Sequence, residues 1–159
     1  MSQLDTTACT NELVLSGEVS RPLTLGVAEL RAGWPVHRAA VTFDCATNGP
    51  QHHVFEGVLL REVVAAAGPG FDAARRKDRS RYLLCVDGRD GHHTVLSWAE
   101  VDEDFGGAPV LLATSLDGIP LDTVGSQLVV PTDRCGARYI SGITAVRLTG
   151  YAGGGGAGV

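Results

Sequence analysis

Apolar positions come mostly in short runs of three to six residues, separated by glycine, proline and aspartate. The stretch from Glu12 to Leu25, "ELVLSGEVSRPLTL", predicts a strand, a glycine-containing turn and a second extended piece. "VAEL" predicts a short helix, "RAGWPV" a turn, and "AAVTFD" a strand rich in β-branched and aromatic residues. The spacing changes in "GVLLREVVAAAGPG". Leu59, Leu60, Val63, Val64 and Ala67 recur at helical intervals until Gly68-Pro69-Gly70 stops them. "YLLCVDGRDGHHTVLS" predicts a hairpin from Tyr82 to Val86 and from His92 to Leu96. In "SWAE", Ser97 and Glu100 have the spacing of a capping box, so a short helix opens there. "PVLLAT", "QLVV" and "ITAVRLT" predict three further strands, with "LDGIPL" turning between the first two.

The expected content is seven or eight short strands and two or three short helices. Strands that come in runs favour a mostly antiparallel α+β domain over a doubly wound sheet. The two common nucleotide-binding loops, G-x-G-x-x-G after a strand and G-x-x-x-x-G-K-[ST], do not occur. The chain has 159 residues, a length that suits one core. The expected division is an extension over 1–11, a domain over 12–151 and a flexible, glycine-rich tail over 152–159.

Charge and cysteine usage narrow the chemistry. A net charge of −5 gives no general attraction to nucleic acid or to an anionic membrane. No apolar run approaches the roughly 18 residues of a membrane span. The N-terminus shows no export signal, so a cytoplasmic location is expected. The four cysteines, at 9, 45, 85 and 135, form no C-x-x-C pair. Cys85 sits in an apolar strand and reads as core; Cys135 reads as a surface thiol. Cys45, at the end of "VTFDC", reads either as a small buried hydrophobe or as a ligand, because a thiolate is a soft donor. His52-His53 and His92-His93 cannot each chelate through both rings, since neighbours on an extended chain face opposite ways. The basic run from Ala73 to Tyr82 and the acidic "EVDEDFGG" read as solvated loops.

The order of motifs carries more than any one of them. "LVLSGEVSRPLTL", "VTFDC", "FEGVLLREVVAAAG", "VDGRDGHHTVLSWAEV", "VLLATSLDGIPL" and "QLVVPTDRCGARYISGITAVRL" follow one another from about residue 12 to about residue 149. This series resembles the molybdopterin-binding domain of the sulfite oxidase family, in its small stand-alone versions. The resemblance implies an α+β fold with a mixed β core around a crevice for the pterin and its phosphate. It implies Cys45 as a molybdenum ligand, with Asn48, Arg138 and Ser141 at cofactor-binding positions. It further implies oxygen-atom or electron transfer on a small-molecule substrate, with a separate protein as electron partner. Basic residues common in the family at two places are Gln127 and Ser141 here, which removes positive charge from an anion site. The alternative is a cofactor-free binding module, or a metal-independent enzyme, that reuses the same crevice.

Overall fold

A computed structural model describes residues 11–153, except residue 46 and the side chain of Cys45. The expected extension over 1–11, apart from Asn11, and the end of the tail lie outside the described residues. The strands build two sheets. In the first, β1 (Leu13–Gly17) lies between β2 (Leu23–Leu25) and β10 (Ile143–Gly150), followed by β5 (Tyr82–Gly88) and β6 (His93–Ser97). The second runs β3 (His37–Cys45), β4 (Gly49–Leu59), β7 (Leu111–Leu116), β8 (Ile119–Pro120), with β9 (Gln127–Val129) also paired to β7. Among the strands of the described residues only β1 and β10 pair in parallel, so the antiparallel expectation holds.

Alternation along the strands decides what is buried. In β5 the pattern from Tyr82 to Gly88 places Tyr82, Leu84 and Val86 inside, with their neighbours facing out. The inward residues of both sheets join one core, which includes Leu15, Phe55, Leu84, Leu112, Leu128 and Val146. Each fully buried leucine or phenylalanine contributes about 1.5–3 kcal/mol. Helix α1 (Val27–Gly33) adds Val27 and Leu30 to this core. Helix α2 (Leu60–Ala66) adds Leu60, Val63 and Val64. Helix α3 (Trp98–Val101) opens with the expected capping box: Ala99 N donates to Ser97 Oγ at 3.1 Å, and Ser97 N to Glu100 Oε2 at 2.9 Å.

Two elements differ from expectation. Strand β4 is eleven residues long and holds the histidine pair at 52–53, whose extended backbone is as expected. Residues 57–59 continue that strand, so α2 begins only at Leu60. Pairing with β3 and β7 on either side overrides the helical spacing of Leu59 and Leu60. The basic run also departs from a plain loop. It winds into a 3-10 turn (Arg76–Arg81), and Arg79 reaches the acidic segment, bonding Asp102 at 2.9 Å and Asp104 at 2.7 Å.

Candidate functional site

Strands β3 and β4 pair from His37↔Gly57 to Cys45↔Gly49, so Cys45 is the last β3 residue before the turn that holds Asn48. The segment after β9 lies beside this end. Asp44 N donates to Arg134 O at 2.8 Å, and Asp44 and Cys135 form an isolated parallel bridge. A 3-10 turn (Gly136–Arg138) follows. Gly136 is required there, because an added Cβ would stand 2.6 Å from Phe43 Cδ2. Phe43 stacks on Tyr139 with ring centroids 4.5 Å apart. Phe43 also lies 5.9 Å from His53. An aromatic wall thus joins the β3–β4 end to the 133–139 segment.

Tyr139 is buried and donates to Val130 O at 3.1 Å. Burial, with the nearby Asp133 carboxylate, pushes its phenol up to about 12. Arg138 is held on two sides. Its Nε and Nη2 donate to Asp133 at 2.8 and 2.9 Å, and Nη1 donates to Glu100 Oε1 at 3.1 Å. Asp133 first, then Glu100, hold this guanidinium above its ordinary range against the cost of burial. The brace ties α3 to the segment beside Cys45. His92 Nε2 donates to Ala137 O at 3.0 Å and adds a further tie, from the β5–β6 turn.

The structure places Cys45 at the end of β3 and Asn48 on the turn that follows, and it places Arg138 three residues beyond the Cys135 that bridges to Asp44, with its side chain directed at Asp133 and Glu100. Ser141 lines a different cavity, of about 260 Å³, with Arg89, Asp90 and Val124. Sequence reasoning missed Glu100 and Asp133 as partners of Arg138. Asp133 stands five residues earlier, a spacing that had no motif behind it. Glu100 was assigned only to its capping box. It also missed Arg134, an exposed side chain with no ion pair among the described residues, on the residue whose carbonyl receives Asp44 N.

His53 belongs to another pairing. Its Nδ1 lies 2.7 Å from Asp117 Oδ2, while Asp117 Oδ1 accepts from Val54 N at 2.8 Å. The Val54 amide first, then His53, hold the Asp117 carboxyl below the usual range. Asp117 has a positive φ of 51°, in the β7–β8 turn that "LDGIPL" predicts. His52 lies on the opposite face, with Nδ1 2.9 Å from Thr42 Oγ1.

Cysteine, the residue type at position 45, is a donor that molybdenum accepts once it is deprotonated. The arginine does not match as well, since all three guanidinium nitrogens of Arg138 are already bonded to carboxylates. Among the described residues, no group of three or more His, Cys, Asp or Glu side chains is placed to hold a metal ion. No helix among them is long and apolar enough to cross a membrane.

The chain belongs to the family of the oxidoreductase molybdopterin binding domain, whose model matches residues 3–132. The match includes Cys45 and Asn48 and ends before Arg134 and Arg138, short of much of the block that the motif resemblance extends through. Among solved structures the chain is similar to the sulfane dehydrogenase SoxCD from Paracoccus pantotrophus, with a TM-score of 0.69 and 18% identity. The likeness covers 94% of this chain and 40% of that one, and at this identity it shows the fold alone. The present chain therefore spans less than half the length of that relative. No curated protein matches it.

Proposed function

We propose that this domain binds the molybdopterin cofactor at the β3–β4 turn, with the Cys45 thiolate as the protein ligand to molybdenum. The observation that carries the reading is the position of Cys45. It closes a strand inside the family-matched region, and its neighbour Asp44 is pinned to Arg134 and Cys135. Asn48 lies on the same turn as a polar contact. Bound molybdenum would supply oxygen-atom and electron exchange, and the chain supplies a soft ligand, an aromatic wall and fixed charge. Arg138 acts here as a brace for the segment, and Arg134 supplies the cation that an anionic phosphate meets. Glu100 and Asp133 stand against Arg138, and with Arg134 the local balance is 0. Anion affinity is therefore modest and falls with salt. A small-molecule substrate and a separate electron-carrying protein complete the proposal.

A second reading, a cofactor-free binding module on the same fold, is favoured by one observation: the Arg138 guanidinium is occupied by two carboxylates. Metal and pterin analysis of protein made in a host that assembles the cofactor separates the two. The first reading expects molybdenum and pterin to co-purify with the domain in equal amounts. Protein that carries neither overturns it and leaves the second.

A further inference from the structure

Strand β3 is an edge of the second sheet, with β4 along one side only. Its nine residues pair with β4 in one unbroken register, from His37 to Cys45. Asp44 stands opposite Pro50, which has no N–H, and the Asp44 N–H turns outward to Arg134 O at 2.8 Å. Main-chain groups point alternately to the two sides of a strand, so Thr42, Ala40 and Arg38 also turn their N–H and C=O groups away from β4. No hydrogen bond reaches these groups from the described residues, and all three residues are exposed. The other edge strands are shorter, from two residues in β8 to five in β6. Lysine, proline and bulges commonly blunt an edge, and β3 has none of them.

Charge on this edge is also unmatched. Arg38 and Asp44 lie on the same face of β3 by alternation, and both are exposed. Neither has an ion pair among the described residues. Glu56, opposite Arg38 on β4, accepts from Ser115 Oγ instead, at 3.0 Å.

We propose that β3 pairs with β3 of a second copy of this chain, antiparallel about a two-fold axis at Ala40, so that one sheet runs through a homodimer. Arg38 then lies opposite the second copy's Thr42, Ala40 opposite its Ala40, and Thr42 opposite its Arg38. Residues that face each other in this way exchange both main-chain hydrogen bonds, so every outward group from 38 to 42 gains a partner. The second copy's Asp44 comes to the diagonal of Arg38, within reach of a long side chain, and symmetry repeats the pair. The second copy's strand begins at His37, opposite Phe43, and so stops short of the Arg134–Cys135 segment that closes the edge beside Asp44. A register shifted toward Asp44 runs into that segment. An axis at Ala39 leaves Thr42 opposite Val36, outside the strand, and an axis at Arg38 sets two like charges face to face. An extended peptide of unrelated sequence gains the main-chain bonds without the paired charges, which favours the second copy. One strand pair buries less than the roughly 800 Å² per partner of a standard interface, so the dimer is weak and concentration-dependent.

The test is sedimentation equilibrium of the whole chain in reducing buffer, up to millimolar concentration, with amide exchange followed on the same samples. Monomer and dimer in exchange are expected, with the Arg38, Ala40 and Thr42 amides slowing as the dimer forms. Ala40→Lys sets two ammonium groups face to face at an exposed position. It should weaken the dimer at least tenfold and leave the melting temperature of the dilute monomer unchanged. Arg38→Glu, which opposes the second copy's Asp44, should also weaken it, and Arg38→Glu combined with Asp44→Arg should restore it. A chain that stays monomeric throughout overturns the proposal. So does a dimer whose three amides are not slowed, one that Ala40→Lys leaves intact, or a charge exchange that brings no rescue.

Discussion

Arg138 illustrates how much a residue's partners decide. A lone guanidinium beside a crevice would be a phosphate clamp. Held by Asp133 and Glu100 it becomes a cross-brace, with its donors turned toward the protein. Tyr139, the next residue, carries a titration that can be measured. Its folded value of about 12 lies above the ordinary value of about 10. A raised value means that the stability from the neutral phenol is fully present below pH ~10 and is lost as pH rises through ~12. Two units correspond to about 2–3 kcal/mol. Tyr139→Phe removes the bond to Val130 O and should cost about 1 kcal/mol at neutral pH. It should also flatten the alkaline loss. Tyr82, whose phenol burial also raises, contributes to the slope that remains. Denaturant midpoints of parent and variant from pH 8 to 12 check this; parallel curves would contradict it.

Among the elements, the pairing of β3 with the segment after β9 matters most, and Gly136 is its tightest point. Gly136→Ala would drive a methyl into the Phe43 ring, with only 2.6 Å available. Moving Phe43 would disturb its stacking on Tyr139 and the Asp44–Arg134 bond. Overpacking of this kind costs about 1–3 kcal/mol. A thermal melt should show the loss, and amide exchange at Asp44 should speed up; an unchanged Asp44 exchange rate would contradict the coupling. Elements whose signals are local were legible in the sequence. The Ser97–Glu100 capping box, the β5–β6 hairpin and the Asp117–Gly118 turn all appear where their residues predict them. The start of α2 was not legible, because the apolar run through Leu59 and Leu60 fits a central strand as well as a helix. The Arg79 bridge to Asp102 and Asp104 was hidden for another reason. Each charge run looks solvated alone, and only the fold makes them neighbours.

For the whole molecule, the motif order was enough to indicate family and fold, because it samples most of the chain. The candidate site was legible only as positions. Cys45 and Asn48 adjoin one turn, Arg138 lies on the segment that bridges to Asp44 but turns to Asp133 and Glu100, and Ser141 lines another cavity. The charges around Arg138 depend on long-range neighbours, which no linear spacing reveals. Two sheets with one shared core should hold the β3–β4 turn in place whether or not a cofactor is bound. Ligand loss and loss of fold are therefore separable. The most direct test is molybdenum content per mole of Cys45→Ser protein, measured with its thermal melt, against the parent and Cys135→Ser from the same cofactor-competent host. The account predicts that Cys45→Ser loses the metal and keeps its melting temperature within a few degrees, while Cys135→Ser retains the metal. Molybdenum retained in full by Cys45→Ser would contradict it.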